Sequence, residues 1–295
     1  MISNYTNQLN ASFRLYLDHI LCNAGGYTNI SGFLYPTSDP NYSQYTVAGS
    51  PFRQWVADSS ISGAKICTTV NDVGNGIWNE TSLYWNTNPD LWNGNTGTLT
   101  VDFERGRIIT DYQLNQPISC QYAKKDWNIY FNYLDEPSLL LDTSFELQSP
   151  IPQVTGALNW QSQPYPCIYI QNKYQENVPY AFGGTDTSET NLSLILLTNN
   201  SFNLDSTMSL LANQQDKYFP TFTVSDLPFD VLGGLKTGYY SYSSLCSQQP
   251  ENNFVHINRV KVSKFNSALN KQLSRGVRGA FVDIECSLAR NPRNY

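Results

Sequence analysis

The feature that most constrains the fold of this chain is the run Leu192-Ser193-Leu194-Ile195-Leu196-Leu197. Successive side chains of a strand point to opposite faces, and in this run both faces are apolar. Such a strand lies in the middle of a sheet, with other elements packed on each side. The run therefore predicts a sheet covered on both faces, with Asn191–Thr198 as a central strand.

The residues around this run predict the rest of a small α+β unit. A short apolar strand is expected at Cys167–Gln171, and a polar loop over Asn172–Thr190 joins it to the central strand. Asn200 is a residue type that caps helices, and an apolar stripe at helical spacing follows it as far as Leu211. A loop as long as Asn172–Thr190 is functional or disordered more often than idle, which makes it a candidate contact segment.

The N-terminal segment Asn4–Cys22 has apolar residues at helical spacing, and the pair Gly25-Gly26 follows it. This pattern predicts an amphipathic helix that ends before the glycines. We expect the helix to pack on its own chain rather than on a neighbouring subunit.

Alternation of apolar and polar residues with a period of two predicts two hairpins in the first half of the chain. One is formed by Leu99–Phe103 and Ile108–Tyr112, and the other by Ile118–Ala123 and Trp127–Tyr133. The last strand shows the same alternation, since Val282, Ile284, Cys286 and Leu288 alternate with Phe281, Asp283, Glu285 and Ser287.

Together these patterns predict an α+β, β-rich fold in three parts. Residues 1–26 form the N-terminal helix, residues 27–145 an antiparallel β domain and residues 146–295 a small α+β domain. The boundary falls near a proline-containing stretch at residues 137–162. Only 14% of the residues are charged and 14% are aromatic, a composition typical of β-rich domains and unlike that of disordered chains.

Charge is distributed unevenly along the chain. Residues 251–295 contain eight basic and three acidic residues, a net charge of +5. Because the whole chain carries −6, the first 250 residues carry −11. Opposite charges on opposite rims of a subunit favour head-to-tail docking, although in a lone monomer the basic stretch is better explained as a solvated strand.

The six cysteines are too widely spaced for a CxxC motif or a zinc-ligand pattern. The N-terminal residues lack the basic and apolar regions of a signal peptide, and no run approaches the length of a membrane span. We therefore expect reduced, mostly buried thiols in a protein made in a cytoplasm.

Residue types that support catalysis are sparse. The two histidines, His19 and His256, have no obvious nucleophile beside them, and we expect both to be structural. The phosphate-binding patterns GxxxxGK[ST] and GxGxxG do not occur, so nucleotide binding is not indicated. The sequence predicts no catalytic residue, no cofactor and no metal ligands.

Two acidic residues on one predicted strand, Asp102 and Glu104, are the only material for a glycosidase, with Asp111 on the partner strand. Ion pairing with the neighbouring Arg105 and Arg107 explains these carboxylates better. An alternative function is a carbohydrate-binding or adhesion module, because a loop-rich stretch holds aromatic rings that can stack on sugars or form a small core. These rings are Trp78, Tyr84, Trp85 and Trp92.

Several segments resemble a known class of protein. They include Asp102–Ile109, Tyr122–Tyr130, Cys167–Ile170, Pro179–Gly184 and the strand–helix run from Leu192 to Lys217. This arrangement resembles the neck proteins of tailed bacteriophages, and the second domain is similar in element order to tail terminators. The resemblance covers roughly residues 95–290.

The resemblance implies a non-enzymatic structural subunit at the head–tail neck of a virion, either a tail terminator or a head–tail joining ring. Head-completion, adaptor and baseplate roles stay open. The implied partners are further copies of the chain in a homo-oligomeric ring, usually of six, other neck and tail proteins, and DNA that passes through the lumen without sequence-specific binding. The implied location is the virion, assembled in the host cytoplasm, with no membrane partner.

Two sets of residues are candidates for the contacts between subunits. One set lies in the predicted loop and the other in the basic C-terminal segment. The candidates are Asn172, Tyr174, Glu176, Tyr180, Phe182, Arg259, Lys261, Lys264, Arg275 and Arg278.

Overall fold

The structure is a computed structural model of the 295-residue chain. It describes residues 5–67, 70–72, 99–110, 118–131, 165–179, 186–228, 238–266, 269–270, 273 and 276–290. The fold is mixed, β-rich and largely antiparallel, with a helix near the N-terminus, as the sequence predicts.

Three helices lie wholly within the described residues. Helix α1 (Tyr5–Asn23) is the predicted N-terminal helix, and its apolar face, which includes Leu9, Phe13 and Leu17, is fully buried against the rest of the chain. Helix α2 (Ser201–Ala212) begins after Asn200, whose side chain accepts a hydrogen bond from the Phe202 N–H at 2.9 Å. Helix α3 (Tyr242–Ser247) is short. Two 3₁₀ turns lie at Pro40–Tyr42 and Glu251–Asn253.

The first sheet has six strands in the order β3-β6-β1-β2-β5-β4, and every described pair is antiparallel. Its strands are β1 (Tyr27–Thr37), β2 (Thr46–Gly49), β3 (Val70–Asp72), β4 (Leu99–Asp102), β5 (Arg107–Thr110) and β6 (Ile118–Lys125). The predicted first hairpin is confirmed, because β4 pairs with β5 through the register Val101–Ile108.

The second sheet also has six strands, in the order β10-β11-β12-β9-β8-β7. Its strands are β7 (Asn128–Phe131), β8 (Cys167–Pro179), β9 (Asp186–Thr198), β10 (Tyr218–Pro220), β11 (Phe254–Lys264) and β12 (Arg278–Arg290). The doubly apolar run lies in β9, which pairs with β8 on one side and β12 on the other, so it is central as predicted.

The predicted second hairpin is wrong. Strand β6 pairs with β1 in the first sheet, whereas β7 crosses to the second sheet and pairs in parallel with β8. Only two residues separate β6 from β7, but Asn128 fixes the crossing, since its backbone N–H and side chain both donate to the Pro166 carbonyl. Local alternation identified the strands but not the partner of each.

The predicted loop over Asn172–Thr190 is also wrong in large part. Residues up to Pro179 continue β8, and residues from Asp186 begin β9, so the two strands form a long antiparallel hairpin. The polar side chains in these stretches predicted a loop. Strand β9 is nevertheless paired on both sides from Asp186 to Leu197, and these ladders satisfy its backbone groups whatever the side chains.

One large cluster of buried side chains joins α1, both sheets and the segments around α2 and α3. A smaller cluster covers the opposite face of the second sheet at one end, where Phe265, Leu273 and Val277 pack on Tyr169 and Ile195. Both faces of β9 are thus buried at this end, which explains its doubly apolar sequence. The division at residues 145 and 146 stays a prediction.

Candidate interface surface

The second sheet has one face turned towards α1 and the large core, and one face turned away from it. Part of the face turned away is polar, and we call this part the polar face. Its residues are Lys173, Tyr174 and Glu176 on β8, Glu189, Asn191 and Ser193 on β9, Asp283 and Glu285 on β12, and Arg259 and Lys261 on β11.

The strand registers place these side chains in rows that run across the sheet. In one row, Glu285 of β12 lies between Arg259 of β11 and Asn191 of β9. Asn191 in turn lies opposite Tyr174 of β8. In the neighbouring row, Lys261 is opposite Asp283, and Asp283 is opposite Ser193. Directly paired residues share a face, so segments far apart in sequence contribute to one surface.

Only part of this charge is neutralised inside the chain. The Asp283 carboxylate accepts a hydrogen bond from Ser193 Oγ at 2.9 Å and forms an ion pair with Lys173 Nζ at 3.0 Å. Within the described part of the chain, five further charged residues of the polar face have no ion pair. They are Glu176, Glu189, Glu285, Arg259 and Lys261.

The polar face is acidic at one side and basic at the other. Glu176 on β8 is directly opposite Glu189 on β9, so two like charges adjoin near the β8 side. Arg259 and Lys261 lie on β11, three strands away. Tyr174 exposes 52% of its surface beside the acidic side. A surface of this kind is suited to contact with a second surface of complementary charge.

The structure brings four of the predicted contact residues together on the polar face, namely Tyr174, Glu176, Arg259 and Lys261. Sequence reasoning missed Glu189, Asp283 and Glu285. The alternation of acidic and apolar residues along Val282–Leu288 was the available signal for the last two, since it places both carboxylates on one face.

The other predicted contact residues do not lie on this face. Asn172 points towards α1, where its side-chain amide donates to Asn10 Oδ1 at 3.4 Å. Lys264 forms an ion pair with Asp205 of α2 at 2.6 Å, and exposed Arg278 begins β12 opposite Thr198. Tyr180, Phe182 and Arg275 are outside the described residues.

Both sides of the second sheet end in strands with unpaired stretches among the described residues. Among the described residues, strand β7 pairs with β8 only along Cys167–Ile170, and no described strand lies on the side of Gln171–Val178 that faces away from β9; we call this stretch the β8 edge. Strand β10 and the turn that precedes it form backbone hydrogen bonds with β11, and the last β11 residue in this ladder is Ile257. The stretch Asn258–Lys264, the β11 edge, likewise has no described strand on the side that faces away from β12.

Both histidines form hydrogen bonds with side chains of the same chain. His19 Nδ1 lies 2.7 Å from Asp58 Oδ2, and the His19 ring stacks on Tyr242 with centroids 4.5 Å apart. Burial raises the pKa of Asp58, but hydrogen bonds from His19, Ser60 and the Tyr242 backbone N–H outweigh it and lower the pKa overall. His256 Nδ1 lies 2.7 Å from Asn258 Oδ1 at the surface.

The two carboxylates of the glycosidase interpretation are both in ion pairs. Asp102 pairs with the buried Arg107 at 2.9 Å and with Arg105 at 3.7 Å, as the sequence predicts. Glu104 instead pairs with Arg14 of α1 and accepts a hydrogen bond from Gln54. Asp111 lies outside the described residues.

A buried charged pair lies under α1. Lys125 Nζ is 2.8 Å from the Asp18 carboxylate, which also accepts a hydrogen bond from the Tyr240 hydroxyl at 3.0 Å. Burial lowers the pKa of Lys125, but the charges of Asp18 and Glu104 and the hydrogen bond to Asp18 raise it overall. Burial and the Asp18 charge raise the pKa of Tyr240. The lysine is therefore a charged structural residue.

All six cysteines are free thiols, five of them buried and Cys246 half-buried, as predicted. Among the described residues, no group of three or more His, Cys, Asp or Glu side chains is placed to hold a metal ion. No helix in the described ranges is long and apolar enough to span a membrane. The aromatic residues of the sugar-binding alternative, Trp78, Tyr84, Trp85 and Trp92, lie outside the described residues.

No protein-family model matches the chain, and no curated protein or solved structure shows significant similarity to it. A functional proposal therefore rests on the polar face and the two strand edges.

Proposed function

We propose that this chain is a non-enzymatic structural subunit of a tailed-phage virion, placed at the head–tail neck as a tail-terminator-like or head–tail joining ring. One observation carries the proposal. Four residues predicted to contact neighbouring subunits, Tyr174, Glu176, Arg259 and Lys261, come from two distant segments and lie on one exposed face of one sheet.

The charges on this face support a head-to-tail ring. A ring requires two different and complementary surfaces on each subunit, because each copy meets its two neighbours through different sides. The acidic side near Glu176 and Glu189 and the basic side near Arg259 and Lys261 are such a pair. Complementary charges favour encounter in the correct order and disfavour contacts between like sides.

The proposal includes the partners of such a ring. These are about six copies of the chain, the adjoining neck and tail proteins, and DNA in the lumen. The proposal also includes an acidic ring interior, in keeping with the net charge of −6, that lets DNA pass without adhering because like charges repel at short range. The chain assembles in the host cytoplasm and then belongs to the virion. The small α+β unit formed by β8, β9, α2, β11 and β12 corresponds to the terminator-like part.

Electron microscopy of purified particles tests this function. An antibody against the chain is expected to label the junction between head and tail, with each labelled particle showing the label on the portal axis. Native mass measurement of the ring released from such particles is expected to give about 200 kDa for six copies of the 33.3 kDa chain.

Two results would contradict the proposal. Absence of the chain from purified particles would exclude a virion subunit altogether. Labelling at a peripheral tip would place the chain in an adhesion role, in agreement with the alternative in which the Trp78–Trp92 stretch binds carbohydrate.

A further inference from the structure

The β8 edge and the β11 edge have directions that allow them to join. Strands β11, β12, β9 and β8 are neighbours in that order, and each pair is antiparallel. The β8 and β11 strands of one chain therefore run in opposite directions. If a second copy is placed beside the first by rotation about an axis along the strands, its β11 lies antiparallel to the first copy's β8.

Both edges carry exposed side chains, and no described strand pairs with their outer backbone groups. On the β8 edge, Tyr174, Glu176 and Asn177 are exposed. On the β11 edge, Arg259, Lys261 and Ser263 are exposed. A strand edge with free N–H and C=O groups is a template on which another strand can pair.

Sheet geometry selects the register of such a pairing. A bulge at Lys173 and another at Asn258 bound the regular part of each edge, which leaves Tyr174–Val178 and Arg259–Lys264. A shift of the pairing by one residue moves every side chain of a strand to the opposite face of the sheet. Only alternate registers therefore keep the polar faces of the two copies on the same side of the joined sheet. Among those registers, one pairs all five residues of Tyr174–Val178 with Arg259–Ser263.

This register gives a consistent set of contacts. Glu176 is directly opposite Lys261 of the second copy, and Arg259 of that copy lies on the diagonal from Glu176. On the face towards α1, Gln175 meets Val262 and Asn177 meets Val260. Opposite charges at directly paired positions stabilise antiparallel pairs, whereas like charges destabilise them.

We propose that the ring forms by pairing of the β8 edge of one copy with the β11 edge of the next, with Glu176 opposite Lys261, so that the second sheet continues around the ring. This inference rests on the proposed ring function and names its contact. The occupant of each edge is a second copy of this chain, chosen by charge complementarity. The two bulges and the lysine residues limit uncontrolled edge pairing, since proteins use both features for that purpose.

Charge exchange tests the contact. Glu176→Lys and Lys261→Glu are each expected to weaken self-association by about tenfold, because each places like charges opposite one another. The double variant Glu176→Lys/Lys261→Glu is expected to restore association. Sedimentation over a concentration series measures the effect, and circular dichroism confirms that each variant is folded.

Matched controls make the same charge changes away from the edges. Glu251→Lys and Lys65→Glu alter residues that lie outside both edges, and they are expected to associate as the unaltered chain does. Equal weakening by the controls, or no restoration in the double variant, would overturn the assigned contact.

Disulfide trapping tests directly whether residue 176 of one copy lies opposite residue 261 of the next. Within one chain, β8 and β11 are three strand spacings apart, about 14 Å, which is too far for a disulfide. In a chain that also carries Cys246→Ser, which removes the half-buried native thiol, Glu176→Cys/Lys261→Cys is therefore expected to oxidise to a ladder of oligomers that closes at the ring size. In the same Cys246→Ser chain, Glu176→Cys without the second change is expected to stop at dimers.

The outcomes separate the contact from the function. If the antibody labels rings at the neck but the cysteine variant forms no disulfide ladder, the edge contact is overturned and the proposed function is still supported. If the chain is absent from particles, but the cysteine variant forms a disulfide ladder and the double charge variant regains association, the edge contact is supported and the function is overturned. A chain that stays monomeric at every concentration, with no ladder, would overturn the contact.

Discussion

At the scale of single residues, α1 brings ionisable side chains into the interior, and each has a partner from a distant segment. Arg14 pairs with Glu104 and Asp18 with Lys125, and the half-buried His19 is hydrogen-bonded to the buried Asp58. Removing one member of a buried pair leaves an uncompensated charge, which costs about 3–5 kcal/mol. These pairs therefore fix how α1 lies on the first half of the chain.

Asp58 predicts a pH dependence of stability. Its folded-state pKa is below that of an unfolded aspartate, about 3.9. The stabilisation it contributes is therefore complete above about pH 4 and is lost as the pH falls through the lowered folded-state pKa. Asp58→Asn is expected to cost about 2 kcal/mol at pH 7 and to flatten the acid limb of the stability curve.

Urea unfolding at a series of pH values, from about 2 to about 7, measures this effect. Asp205→Asn is the matched control, because its carboxylate is half-exposed and forms a surface pair with Lys264. An acid limb that is equally steep in Asp58→Asn and in the unaltered chain would show that other carboxylates determine it.

At the scale of elements, the turn between β4 and β5 depends on one glycine. Gly106 has φ +59°, and a Cβ at this position would collide with the carbonyl oxygens of Phe52 and Arg53. The same Cβ would lie 2.8 Å from Trp55 Nε1, because the turn is packed against the segment that holds these three residues. Close packing and backbone conformation both require glycine here.

Gly106→Ala is expected to destabilise the protein by about 3 kcal/mol or more, because left-handed strain and backbone collision add. Gly25→Ala is the matched control. Gly25 has φ +89°, but no atom lies within 4 Å of its added Cβ, so strain alone is expected to cost about 1–2 kcal/mol. Chemical denaturation compares the two, and equal losses would show that a small backbone shift relieves the collision at Gly106.

At the scale of the whole molecule, one core connects α1 with both sheets, and the thiols are distributed through the interior. Cys22, Cys67, Cys120, Cys167 and Cys286 each expose 2% or less of their surface, whereas Cys246 is half-buried on α3. Burial raises the pKa of the Cys246 thiol, so this thiol reacts more readily at higher pH.

A thiol reagent is expected to modify one cysteine, Cys246, in the folded chain and all six after unfolding in urea. The reaction of Cys246 is expected to quicken as pH rises, since the thiolate is the nucleophile. Absorbance of the thiolate that the reagent releases counts the modified groups. Cys246→Ser is expected to abolish the native-state reaction, and a reaction that persists in this variant would show that the core opens.

Elements whose side-chain pattern is independent of their partners could be predicted from the amino-acid sequence. The apolar stripe of α1, the doubly apolar β9 and the β4–β5 hairpin follow from local periodicity and turn chemistry, and the structure confirms them. The other features depend on tertiary structure. It extends β8 and β9 through polar residues, because backbone ladders with neighbouring strands satisfy their hydrogen bonds, and it pairs β7 with β8 in the second sheet. It also placed Tyr174 and Glu176 on one face with Arg259 and Lys261, because strand register, which local sequence does not encode, sets which distant residues share a surface.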